Sequence, residues 1–118
     1  MARILLAEDD DAMRQFLVAA LSRAGHTVSA HADGLAAAAA LPAPMDLLVA
    51  DIVMPGLDGV ELARRASHAK PGLPVLFVTG FASSAVSGGE PPLPNAVVLF
   101  KPFKLRDLMR EVDKLLAN

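Results

Sequence analysis

Five short apolar runs, Ile4 to Ala7, Thr27 to Ala30, Leu47 to Ala50, Val75 to Val78 and Val97 to Phe100, recur along the chain, and their spacing restricts the fold more than anything else in it. Three of them are nearly unbroken Leu, Val, Ile and Phe, which suits strands covered on both faces rather than strands with one face in water. Between the runs lie segments with helical spacing. Met13, Phe16, Leu17, Ala20, Leu21 and Ala24 form one stripe, with Arg14, Gln15, Ser22 and Arg23 opposite, and Gly25 is the stop. A second helix is predicted from Asp33-Gly34 through Ala36 to Leu41, ended by Pro42 and Pro44; its alanine run reflects high helix propensity. A third runs from Asp58 as cap to about Ala69, with Pro71-Gly72 beyond it. The last places Leu105, Leu108, Met109, Val112, Leu115 and Leu116 on one face.

Strand and helix in alternation imply right-handed crossovers and a parallel sheet with helices on both sides. One segment breaks the rhythm. From Phe81 to Asn95 the chain carries Gly88, Gly89, Pro91, Pro92 and Pro94, residues that cannot sit inside a regular helix, so a short or irregular helix is expected there.

At 118 residues this is the length of one ordinary domain, and neither a disulfide nor a structural metal is needed to stabilise it. The net charge is -2 with the signs interspersed, which argues against a nucleic-acid surface. No apolar stretch reaches the roughly 18 residues of a membrane helix. The first residues run straight into a strand-like segment without a signal-peptide layout, so a cytoplasmic location is expected. His26, His31 and His68 show no ligand spacing and read as surface residues.

The chemistry lies at the ends of the apolar runs, the rim where parallel α/β sheets bind ligands. Glu8-Asp9-Asp10 follow the first run, Asp51 the third, Thr79-Gly80 the fourth and Lys101 the fifth. Adjacent carboxylates repel unless a cation neutralises them, and Mg²⁺ takes hard oxygen ligands while keeping room for water and a phosphate oxygen. A carboxylate can also act as a nucleophile toward phosphorus. That reaction needs a divalent metal to shield the incoming oxygens and a cation opposite, for which Lys101 is placed. Thr79 offers a hydroxyl to a phosphoryl oxygen, and the missing side chain of Gly80 leaves room for it.

With acid, acid, Thr and Lys in that order, the whole chain resembles the receiver domain of two-component response regulators. The stretches that carry the likeness are Ile4-Leu5-Leu6-Ala7-Glu8-Asp9-Asp10, Asp51-Ile52-Val53-Met54-Pro55-Gly56-Leu57-Asp58-Gly59, Val78-Thr79-Gly80 and Lys101-Pro102-Phe103. The resemblance implies one receiver domain over residues 1–118, with a flavodoxin-like α/β fold, a doubly wound parallel sheet of order 2-1-3-4-5. It implies phosphotransfer onto Asp51 from a sensor histidine kinase or a histidine phosphotransfer protein. Mg²⁺ would be bound by Asp9, Asp51 and the backbone carbonyl of Val53, with Glu8 acting through a water. Thr79, Gly80 and Lys101 would meet the phosphoryl group, and the Lys101-Pro102 peptide would be cis. Such a protein is a signalling module, not an enzyme, and probing it with small phosphate esters should release no phosphate catalytically.

The competing class is a phosphatase of the haloacid dehalogenase type, which shares the Asp, Thr, Lys and Mg²⁺ set. Those enzymes carry the nucleophile on the first strand in an Asp-x-Asp pattern, whereas here the acidic pair comes first. Within the family, the stretches around Glu8, Asp51 and Thr79-Gly80-Phe81 are similar to single-domain cell-cycle receivers of alphaproteobacteria. That narrower likeness implies an adaptor for the ClpXP protease, with ClpX as effector, and a monomer is expected; a flagellar-type effector and a phosphate shuttle or sink in a relay are the other readings.

Two departures matter. Receivers often carry Tyr or Phe three residues before the strand-5 lysine, where this chain has Val98, and the chain has no tyrosine. A ring-flip switch there is excluded, which leaves Phe81, Val98 and Phe100 as the candidate signalling surface. Val53 and Phe81 are also apolar and cannot orient an attacking water. Slow self-dephosphorylation is expected, and Val53→Asn should speed decay of the phosphorylated form.

Overall fold

The computed structural model describes residues 1–41, 44–80 and 93–117. Its order is β1 (Arg3–Ala7), α1 (Asp11–Arg23), β2 (Thr27–His31), α2 (Gly34–Ala39), β3 (Leu47–Ala50), α3 (Gly59–Ala69), β4 (Val75–Thr79), β5 (Ala96–Phe100) and α4 (Leu105–Ala117). The five strands form one parallel sheet in the order β2-β1-β3-β4-β5. This is the doubly wound arrangement expected from the alternation of runs and helical stretches.

The period of two along each strand sorts the core into two layers. Ile4, Leu6, Leu47, Val49, Leu76 and Val78 join Leu17, Leu21, Leu108, Val112 and Leu115 on the α1/α4 side. Leu5, Leu48, Ala50, Val75 and Phe77 join Ala37, Val60, Leu62, Ala63 and Ala66 on the α2/α3 side. Strands β1, β3 and β4 are buried on both faces except for Arg3 at the start of β1, as their unbroken apolar character requires.

Each of the first three helices opens on an aspartate that caps it. Asp10 accepts from the Met13 N–H at 2.8 Å, Asp33 from the Ala36 N–H at 2.7 Å and Asp58 from the Glu61 N–H at 2.8 Å. Helix α2 is shorter than its alanine run suggests, ending at Ala39 with Ala40 as cap, and Leu41 lies outside it. A proline at 42 disfavours the helical conformation at 41, which outweighs propensity. The expected irregular helix falls mostly on residues 81–92, outside the described residues; the adjoining Leu93 accepts from the Ala96 N–H at 3.2 Å in a turn that opens β5. His26 is more than a surface residue, since it is half-buried and its Nδ1 accepts from the Ala2 N–H at 3.1 Å.

Candidate functional site

The sheet order brings four adjacent strand ends to one rim. Glu8 follows β1, Asp51 follows β3, Thr79 closes β4 and Lys101 follows β5. Strands β1 and β3 are neighbours in the sheet but not in the chain, so their carboxyl ends flank the crevice where the topology switches direction.

Lys101 is the hub. Its Nζ donates to Glu8 Oε1 at 2.8 Å and to Asp51 Oδ2 at 2.9 Å. The remaining oxygens are also occupied: Glu8 Oε2 accepts from the Asp10 N–H at 3.1 Å, and Asp51 Oδ1 from the Val53 N–H at 3.2 Å. Glu8 is fully buried, Asp51 nearly so, and Asp9 is exposed. One carboxylate oxygen from each of Glu8, Asp9 and Asp51 can be chosen so that all three lie within 4.8 Å of one another. Three carboxylates against one ammonium leave an excess of negative charge, and hard oxygen donors in that number can hold a metal ion. Asp10 stands apart, because its side chain caps α1.

The electrostatics follow from burial. Removal from water pushes the Glu8 carboxyl up to about 7; the hydrogen bonds from Lys101 and the Asp10 N–H oppose this, and the charge of Asp51 adds to it. Lys101 is held above the ordinary lysine value, since burial pulls it down but its bonds to Glu8 and Asp51 outweigh that.

Thr79 is fully buried, and its carbonyl accepts from the Lys101 N–H at 2.8 Å, which ties the lysine's backbone to β4. A Cβ on Gly80 would lie 4.0 Å from Lys101 Cδ, an ordinary contact, so the lysine stem leaves room for a side chain at that position. The Lys101-Pro102 peptide is cis. Val53 is half exposed. Val98 is half-buried against the α2/α3 layer, Phe100 is exposed and in register with Thr79, and Phe81 lies outside the described residues.

Sequence reasoning missed Arg14, whose guanidinium donates to the Glu8 carbonyl at 3.0 Å and to Asp11 Oδ1 at 2.6 Å, binding α1 to the end of β1. It also missed Gly59. A Cβ there would lie 2.1 Å from the Asp51 carbonyl oxygen, so only glycine lets α3 begin against Asp51.

The model of the response regulator receiver domain family matches residues 4–113. The chain belongs to that family. It is 50% identical over 117 residues to the response regulator receiver protein CpdR of Brucella abortus, covering 98% of each chain. A crystal structure of a response regulator receiver protein from Sinorhizobium medicae superposes with a TM-score of 0.89 at 30% identity, covering 98% of this chain and 94% of that one. The chemotaxis protein CheY4 of Vibrio cholerae gives 0.85 at 29% identity, covering 98% and 99%. The chain is thus a receiver of CpdR-like type with a CheY-like fold. Among its described residues no helix is long and apolar enough to cross a membrane.

Proposed function

We propose that this receiver accepts a phosphoryl group on Asp51 from the phosphohistidine of a sensor kinase or phosphotransfer protein. The observation that carries the reading is the ammonium of Lys101 bridging Glu8 and Asp51 beside the exposed carboxylate of Asp9. In the transfer the P–N bond breaks as a P–O bond forms to an Asp51 carboxylate oxygen, and the bonding pair returns to the imidazole.

Asp9, Asp51 and the Val53 carbonyl would hold Mg²⁺, with Glu8 reaching it through a water. Bound there, the ion supplies positive charge to the phosphoryl oxygens as they arrive. Lys101 can keep its bond to Glu8 and turn another N–H from Asp51 to a phosphoryl oxygen. Thr79, which closes β4, and the backbone at Gly80 would meet the same group.

A stand-alone receiver domain over residues 1–118, cytoplasmic and monomeric, would give its output by binding proteins rather than by turning over a substrate. Likeness to CpdR along the whole chain supports an adaptor role in which the unphosphorylated form primes ClpXP for its substrates and phosphorylation ends that. Candidate surfaces for the change are Phe81, Val98 and Phe100. The test is intact-mass analysis after acetyl phosphate treatment with and without Mg²⁺, for wild type and Asp51→Asn. An Mg²⁺-dependent adduct on wild type alone is expected; no adduct on wild type would overturn the assignment. Pull-down of ClpX under the two conditions then tests the adaptor role.

A further inference from the structure

The loop between β3 and α3, residues 51–58, is pressed at both ends by a glycine that has no space for a methyl group. At the near end, a Cβ on Gly59 would lie 2.1 Å from the Asp51 carbonyl oxygen and 3.0 Å from Ile52 Cα. At the far end, a Cβ on Gly34 would lie 2.1 Å from the Leu57 carbonyl oxygen and 3.0 Å from Leu57 Cβ. Among the described residues the positive-φ glycines are Gly25, Gly56 and Gly72. Gly34 and Gly59 are therefore required for close approach, not for an unusual backbone conformation.

These approaches bracket the site loop. Its near end is fixed, since the Asp51 N–H donates to the Ala7 carbonyl at 3.0 Å and the Gly59 N–H to the Ile52 carbonyl at 2.9 Å. The first turn of α2 is capped by the bond from the Ala36 N–H to Asp33 at 2.7 Å, and Ala37, fully buried in the α2/α3 layer, seats the helix. The next residue, Leu35, lies over the same loop, its Cδ1 3.2 Å from where a Cβ on Gly56 would be. A displacement at Leu57 cannot be taken up at Asp51 or Ile52, so it falls on residues 53–56.

We propose that Gly34 is a positioning residue of the Asp51 site: by letting α2 seat against the Leu57 carbonyl, it sets the path of the loop that presents the Val53 carbonyl. Gly59 does the same for Asp51 directly. The inference rests on the assignment of Asp51 and Val53 to the metal and phosphoryl site. It makes α2, a helix with no acid in the site, a determinant of metal affinity.

The test compares Gly34→Ala with Leu21→Ala, a truncation in the opposite layer, by Mg²⁺ titration calorimetry and urea unfolding. Gly34→Ala is expected to weaken Mg²⁺ binding by roughly tenfold, the usual size of an outer-shell effect. Leu21→Ala is expected to lose stability and bind Mg²⁺ as wild type does. Wild-type affinity in Gly34→Ala, or an equal loss in Leu21→Ala, overturns the proposal. Should Gly34→Ala fail to fold, the wild type decides by NMR: Mg²⁺ and then beryllofluoride should shift the amides of Gly34 and Leu35 along with that of Val53. Movement of Val53 with α2 unchanged refutes the role of Gly34. Failure of wild type to bind Mg²⁺ at all would instead remove the site assignment beneath it.

Discussion

On the α1/α4 side of the sheet the helices pack through large side chains, Leu17, Leu21, Leu108, Val112 and Leu115, whereas on the α2/α3 side Val60 and Leu62 are joined by the small side chains Ala37, Ala63 and Ala66, and glycine backbone abuts the loop behind Asp51. The first layer is held mainly by side-chain volume. The second brings helix backbone close to the sheet and to the loop behind Asp51. The two layers should therefore fail differently: the first when side chains are cut away, the second when they are added. Stability and site geometry are to that extent assigned to opposite faces of one sheet.

The largest expected effect comes from truncating the leucine layer. Leu21 is fully buried, and Leu21→Ala should cost about 2–5 kcal/mol through lost transfer energy and the cavity left behind. Urea unfolding measures it. A loss well under 1 kcal/mol would mean that the layer collapses around the gap and that the contrast between the faces is overdrawn.

Next in size is the pH dependence set by Glu8, which sits where both layers end. In the folded chain burial pushes its carboxyl up to about 7 from the ordinary 4.5. Between those values the folded state holds a proton that the unfolded state has released, so stability falls as pH rises through the window. The full span corresponds to about 3 kcal/mol at most. Unfolding at pH 5 and pH 7.5 should show the metal-free protein less stable at the higher pH, with the difference lost in Glu8→Gln. Saturating Mg²⁺ should flatten the slope by favouring the charged carboxylate. Lys101, held above 10.5, contributes in the opposite region: its stabilisation is present below 10.5 and lost as pH rises through its higher folded value.

Filling the alanine layer is expected to cost less than emptying the leucine one. Ala66 is fully buried on α3, and Ala66→Leu should destabilise by about 1–3 kcal/mol through overpacking. Mg²⁺ affinity should fall with it, because α3 can move away from the sheet only by dragging Gly59 from the Asp51 carbonyl. An unchanged affinity would show that the layer yields elsewhere.

How much of this was readable beforehand depends on whether a contact leaves a mark on both partners. The strands were legible because Leu47 to Ala50 and Val75 to Val78 admit no amphipathic alternative. Residues 93 positions apart, Glu8 and Lys101, could be brought to one rim because parallel strands all end on the same side. Arg14 and Gly34 were not legible, since each meets a backbone carbonyl, of Glu8 and of Leu57, and any residue supplies a carbonyl. A glycine after a capping aspartate looks like local turn chemistry. Its true partner is set by tertiary packing.

The smallest effect discriminates most finely. Asp10 and Asp58 cap α1 and α3 with bonds of the same length, 2.8 Å, one helix in each layer. Asp58→Ala should cost about 1 kcal/mol, as loss of an N-cap usually does, and Asp10→Ala a similar amount. Their consequences for the site should differ. Releasing the Glu61 N–H frees the first turn of α3, where Gly59 abuts the Asp51 carbonyl, so Asp58→Ala should raise the Mg²⁺ concentration needed for half-saturation. Asp10→Ala keeps the backbone N–H that donates to Glu8 Oε2 and should leave that concentration near the wild-type value. Equal shifts in the two variants would show that the site responds to helix fraying in general, and the division of labour between the faces would not hold.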